Sequence, residues 1–347
     1  MNRKTGHVHA GLRRRVGTDD AHRSTRRKLL LALGAVALAA PFGSFAQQPG
    51  KVWRVGSLGV TAGRHLYAAF VAGMADLGYV EGRNVHYDKR ESDGNFETFA
   101  KDARALAEAR VDLIWVGGTP AAMAAQKATA TIPIVFALVA DPVYSKLIHS
   151  LSAPGGNLTG MTLLLAEIWT KRVEILNEIF PKVRRIGVLH NPLDSSNIAQ
   201  LPYIREGAKA FGKEVMIVGA TKPEEFAAAF AQLKTWRAQA LLTAESTLFF
   251  QNRQALIEAA AKNHWPTVHS TKEYVDAGGV IAYGADYVQN CRDSAAYVDK
   301  IFRGAKPGDL PVQQPTKYEF VLNLKAAKAM GLTIPQSILL RADRVIE

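Results

Sequence analysis

A chain of 347 residues, 48% hydrophobic and 21% charged, has the balance of a globular protein with a sizeable core, and its length favours two domains over one. The formal net charge of +12 does not mark a nucleic-acid binder: nine of the 43 Lys and Arg and two of the 31 Asp and Glu lie in the first 46 residues, leaving 34 against 29, a net of +5, for the rest. Cys291 is the only cysteine, so an internal disulfide scaffold is excluded.

The first 46 residues read as an address. Thr25-Arg26-Arg27-Lys28 leads into an apolar run over 29–40, and Ser44-Phe45-Ala46 precedes Gln47. A basic start, a short apolar middle and small residues at a cut are the parts of a secretory signal peptide. The apolar run falls short of the roughly 20 residues that cross a bilayer. The Arg26-Arg27 pair, with leucines after Lys28, resembles a twin-arginine export signal, the Sec route being the alternative. Cleavage after Ala46 is expected to release a periplasmic chain, and no cysteine stands at the cut to carry a lipid anchor.

From Val52 onward, short β-branched runs alternate with segments of helical periodicity, the pattern of parallel sheets with crossover helices. Strands are expected at 52–58, 85–89, 113–116 and 132–138, then at 185–190, 214–218, 240–243, 267–269 and 280–283. Between them Leu66, Phe70, Met74 and Leu77 share one helical face, as do Phe96, Phe99, Ala103 and Leu106, and later Trp169, Val173, Leu176 and Phe180, then Phe226, Phe230 and Leu233. Turn-rich breaks at Ala153-Pro-Gly-Gly-Asn-Leu-Thr-Gly160 and over 303–309 bracket a region that ends in a helical segment, 286–302. The expected fold is α/β, two doubly wound parallel-sheet (Rossmann-like) lobes joined by a hinge. The chain is expected to return to its first lobe before finishing in the second: 47–159 with 286–310, and 160–285 with 311–347.

Ligands of open α/β sheets sit beyond the carboxyl ends of the strands. The loops there read Gly59-Val-Thr-Ala-Gly63, Gly117-Gly-Thr-Pro120, Ala140-Asp-Pro142, Asn191-Pro-Leu-Asp-Ser-Ser-Asn197, Ala244-Glu-Ser246 and Tyr283-Gly-Ala-Asp286. Such loops offer backbone N–H groups for a carboxylate and acids for an ammonium group. The candidate ligand-binding set is Ser57, Gly118, Thr119, Pro120, Asp141, Asn191, Ser195, Asn197, Glu245, Ser246 and Tyr283. Taken singly, Thr119, Asp141, Asn197 and Ser246 suit helix capping as well as binding. Tyr283 and Tyr287 are the candidate stacking walls, while Trp115, Phe249 and Phe250 read as packing residues and His190 and His269 as structural ones. The chain has no dinucleotide fingerprint at its first loop, no phosphate loop ending in Gly-Lys-Ser/Thr, no HExxH and no GxSxG. The loops therefore read as a candidate ligand site, with no catalytic, cofactor or metal residues picked out.

Several segments together resemble the ABC-transporter substrate-binding family that includes tryptophan/tyrosine-binding proteins. They are Leu77-Gly-Tyr-Val-Glu-Gly-Arg-Asn-Val85, Thr119-Pro-Ala-Ala, Ala128-Thr-Ala-Thr-Ile-Pro-Ile-Val135, Asp141-Pro-Val143, Pro154-Gly-Gly-Asn-Leu-Thr-Gly160 and the tail from Leu310-Pro-Val312 to Arg341-Ala-Asp343. The resemblance implies a type I periplasmic binding fold, a small-molecule solute held between lobes that close on a hinge, a membrane permease of an ABC transporter as partner, and a monomer. It places Thr119, Pro120, Asp141, Asn191, Asn197, Glu245, Ser246 and Tyr283 toward the cleft. Two positions depart: Glu245-Ser246 stands where amino-acid-binding members often have Asp-Asn, and Lys146 where a Gly is usual. A ligand-sensing co-receptor would use the same cleft. A sugar-repressor-type regulator would need a helix-turn-helix in the first 60 residues, where the apolar export run lies.

Overall fold

The computed structural model describes residues 51–92, 96–163 and 165–347. The expected signal peptide, its cut after Ala46 and the Arg26-Arg27 pair lie outside the described residues. No described helix is long and apolar enough to cross a membrane.

Strands β1 (Trp53–Val60), β2 (Val85–Ser92), β3 (Leu113–Val116), β4 (Ile134–Val139) and β5 (Leu158–Thr162) form one sheet in the order β2-β1-β3-β4-β5, every pair parallel. All four residues of β3 are buried, as expected of a strand covered on both faces. Its pleat divides them: Leu113 and Trp115 pack with Phe70 and Met74 of the helix Arg64–Asp76, whereas Ile114 and Val116 pack with Phe99 and Leu106 of the helix Phe96–Glu108. No strand was expected at β5, whose Gly-Gly-Asn approach reads as a turn. Pairing with β4 overrides that local signal and buries all five residues. At Gly160, φ is 143° and an added Cβ would lie 1.9 Å from the Phe136 carbonyl oxygen, beside a register shift in β4, so only glycine fits this approach.

The second sheet holds β6 (Arg185–His190), β7 (Glu214–Gly219), β8 (Ala240–Thr243), β9 (Thr267–His269), β10 (Ile281–Ala285), β11 (Tyr318–Asn323) and β12 (Arg344–Ile346), in the order β12-β11-β10-β9-β8-β6-β7. All its pairs are parallel except β10 with β11. The exception has a local cause. The chain re-enters beside the end of β10, where the Asp286 N–H donates to the Lys317 carbonyl at 3.1 Å, so β11 must run back along its neighbour. β11 and β12 also lie beyond the strands expected from periodicity.

Between β10 and β11 the helix Tyr287–Phe302 packs on the first sheet. Cys291, Ala295 and Val298 join the core of Phe70 and Met74, Trp115 Nε1 donates to Ser294 Oγ at 2.9 Å, and the rings of Trp53 and Phe302 stack 4.0 Å apart. The chain thus passes between the sheets after Thr162, at Asp286 and after Gln313. Two of these passages are tied: the Gln313 N–H donates to Gly160 O at 3.0 Å, and the Thr162 N–H donates to Gln313 O at 2.9 Å.

Candidate ligand-binding cleft

The carboxyl ends of strands from both sheets face one cleft of about 920 Å³, its open mouth included. The first wall begins within β1, with Ser57, and continues through Arg64 and Tyr67 of the following helix, Lys89, Arg90 and Glu91 at the end of β2, and Gly118, Thr119 and Pro120 after β3. The second wall carries Asp194, Glu245, Ser246, Phe250, Ser270 and Tyr274, with Tyr287 at the passage between sheets.

Of the expected ligand-binding residues, Ser57, Gly118, Thr119, Pro120, Glu245 and Ser246 line this cleft. Neither Thr119 nor Ser246 caps its helix by side chain: Thr119 Oγ1 instead accepts the Ala140 N–H at 3.2 Å, tying the β3 and β4 loops together. Asp141, Asn191, Asn197 and Tyr283 do not line it, and local bonds explain their placement. Asp141 Oδ1 accepts the N–H groups of Val143 and Tyr144, forming a turn. Asn191 Oδ1 accepts the Leu193 N–H at 3.0 Å. Asn197 Oδ1 takes the Asn191 N–H while its Nδ2 donates to the Glu245 carbonyl at 2.7 Å. Tyr283 stacks on Tyr318 away from the cleft. Ser195 begins the helix Ser195–Ala210, and its side chain lies outside the described residues.

Asn197 has a positioning effect nonetheless. Together with Gln200, which donates to the Glu245 carbonyl at 3.1 Å and accepts the Glu245 N–H at 2.8 Å, it fixes the backbone at the centre of the second wall. Behind that wall lies Arg172, 1% exposed, ion-paired to Glu245 Oε1. Its Nε donates to the Tyr283 carbonyl at 2.8 Å and its guanidinium lies 4.8 Å from the Trp169 ring centroid.

The two walls differ in charge. On the first, Glu91 accepts from Arg64 at 2.8–3.1 Å and pairs with Lys89, and these hydrogen bonds hold its carboxyl down at about 2. Arg64, Lys89 and Arg90 against Glu91 and Asp88, the latter paired with Arg90 at 2.9 Å, leave that wall with one net positive charge. The aromatic residues are neutral: burial, partly offset by a hydrogen bond with Ser57, pushes the Tyr67 hydroxyl up to about 12, and burial raises those of Tyr274 and Tyr287 further. His269, beneath the second wall, is fully buried and held neutral, its pKa pushed down to about 3 by burial and by the charge of Arg172. Its Nδ1 lies 3.0 Å from Thr243 Oγ1. At the cleft edge His65 Nε2 of the first wall meets Glu273 Oε1 of the second at 2.9 Å.

Phe250 and Trp115, expected as packing residues, both pack and line the cleft: Phe250 packs against the core of Phe70 and Met74, and Trp115 within it is 2% exposed. Arg64, Tyr67, Lys89, Arg90, Glu91, Ser270, Tyr274 and Arg172 escaped sequence reasoning. The signal for the β2 group was available in one form, an unusually polar strand end, Asp-Lys-Arg-Glu-Ser, which pairs with β1 from Gly56 to Val60.

Two α/β units joined by three passages, with polar anchors and aromatic faces converging from both, define a two-lobed solute-binding protein of the type I periplasmic binding fold. The family model for ABC transporter substrate binding protein matches residues 62–346, and the chain belongs to that family. A tyrosine-binding protein of Clostridioides difficile (strain R20291) is 27% identical over 263 residues, 76% of this chain and 75% of its own. The structure of the ABC domain in complex with L-Trp from Streptococcus pneumonia has a TM-score of 0.80 at 25% identity, covering 85% of this chain and 99% of that one. A ligand-free, open substrate-binding protein with adhesive properties from Clostridium difficile gives 0.63 at the same identity and coverages.

Proposed function

We propose that the protein is exported, cut after Ala46, and acts as a monomer in the periplasm as the solute-binding component of an ABC importer, handing a captured small organic solute to a membrane permease. The observation that carries this reading is the cleft walled by two separate sheets. Rotation about the three passages opens or closes it, and a solute that touches both walls stabilises the closed form through contacts the open form lacks. His65 with Glu273 is a contact of that closed kind. The net positive first wall and the aromatic faces of Tyr67, Phe250, Tyr274 and Tyr287 suit a small carboxylate with an aromatic or apolar body. The relatives named for tyrosine and complexed with L-Trp take solutes of this general kind.

A thermal-shift screen of the purified protein against amino acids, aromatic acids, nucleosides and sugars tests the reading, since a solute at 100 times its Kd adds about 2.7 kcal/mol. A rise for one class, with calorimetry recording binding and no turnover, is expected. A shift with NAD, nucleotides or DNA and with no organic solute would overturn it.

A further inference from the structure

We infer that Glu245 selects the solute by accepting a hydrogen bond from an uncharged O–H or N–H donor, so that the cleft takes a hydroxylated or amide-bearing carboxylic acid in preference to the corresponding amino acid. The inference rests on the cleft being the solute site and names the chemistry of what enters it.

The Glu245 side chain is 7% exposed and lines the cleft, yet only Oε1 is taken, by Arg172. Oε2 is buried with no partner. Ten buried side-chain polar atoms among the described residues lack one, and this is the one that belongs to a residue lining the cleft. A buried carboxylate oxygen left unbonded is costly, and a donor on a bound solute removes that cost. Neighbouring polar groups on the wall are already engaged: the hydroxyl of Tyr287 with Ser270, and that of Tyr274 with Thr243. Asp194, the other acid of this wall, is not free either.

The donor is uncharged because the carboxylate is already neutralised. Arg172 cannot give up its proton and is fixed by the Tyr283 carbonyl and the Trp169 ring. An ammonium group on Oε2 would bring a second cation close to a guanidinium that is 1% exposed, with one carboxylate for both and little water to screen them. Glu91 does serve two cations, but Arg64 and Lys89 are 65% and 35% exposed, where solvent carries the repulsion. The acid end of the solute is drawn to the opposite wall, where Arg64 and Lys89 share the single carboxylate of Glu91.

Calorimetric titration of the purified protein with four matched probes tests this: 3-phenyllactate, 3-(4-hydroxyphenyl)propionate, 3-phenylpropionate and L-phenylalanine. One of the two hydroxylated acids is expected to bind at least tenfold tighter than both the bare acid and the amino acid, the ratio set by one hydrogen bond to a charged group. Tightest binding of phenylalanine, equal binding of bare and hydroxylated acids, or no binding of either hydroxylated acid would overturn the inference. In the last case a shift with another solute class leaves the binding-protein reading standing. In the double variant Arg172→Met with Glu245→Met the hydroxyl preference should fall below threefold; a retained tenfold preference would also overturn it. Should that variant not fold, the four-probe comparison on the unaltered protein decides.

Discussion

Replacing Glu245 by Met while leaving Arg172 in place removes the carboxylate that neutralises a guanidinium only 1% exposed. Breaking one side of a buried pair in this way costs about 3–5 kcal/mol, because the remaining charge has no water to turn to. The opposite single change, Arg172→Met, strands Glu245 instead; its side chain, 7% exposed and lining the cleft, lies nearer water than that of Arg172, so its cost should be about half as large. Replacing both restores neutrality with side chains of comparable volume, and such exchanges are often neutral to within about 2 kcal/mol. For a domain of this size the Glu245→Met variant should melt roughly 6–10 °C below the unaltered protein, the Arg172→Met variant roughly half as far, and the double variant above Glu245→Met. Differential scanning calorimetry of the four proteins measures the cycle. Equal costs for the two single changes, or a double variant whose loss is their sum, would refute the asymmetry and the coupling from which it is argued.

Gly160→Ala forces a Cβ into the Phe136 carbonyl oxygen, 1.9 Å away, at a φ of 143°; a loss of roughly 3 kcal/mol or more in urea unfolding is expected, and a loss under 1 kcal/mol would contradict the close approach. His65→Ala removes a pair that joins the two walls but is 43% exposed on the His side, so stability should change by less than about 1 kcal/mol, while small-angle scattering of the solute-free protein should show a larger radius of gyration; an unchanged radius would remove its part in closure. His269 titrates at about 3 when folded and near 6.5 when unfolded, so the unfolded chain binds the extra proton below pH 6.5. Its contribution is fully present above that value and is lost as pH falls toward 3, by up to about 1.4 kcal/mol per pH unit. His269→Gln should flatten the stability profile between pH 6 and 4, and an unaltered slope would mean the ring is not held neutral.

Strands buried on both faces announce themselves in sequence, because each needs a short unbroken run of β-branched and apolar residues. β1, β3, β4, β6 and β8 to β10 were legible for that reason, and β2 and β7, at the sheet edges, by their short β-branched starts; with them came the alternation that implies two α/β units. The loops after those strands were legible too, which is how Ser57, Gly118, Thr119, Pro120, Glu245 and Ser246 could be placed at one cleft. β5 and β12 were not expected, since a central glycine in the one and a length of three residues in the other leave the neighbouring strand to decide; β11 was not expected either, although Tyr318, Phe320 and Val321 do favour a strand.

Whether a polar loop residue caps, braces or faces a ligand also lay beyond sequence. Asp141, Asn197 and Ser246 have side chains suited to each task, and the choice depends on which backbone N–H lies within about 3 Å after the lobes have formed. Arg172 shows the limit most clearly. In sequence it is one more cation on an amphipathic helix, and its partner Glu245 lies 73 residues away. Periodicity determines which residues leave water, because that depends on neighbours three or four positions off. The pairing of buried charges depends on where separate elements cross, and that is decided only when the helix Leu165–Ile179 packs beneath the ends of β8 and β10.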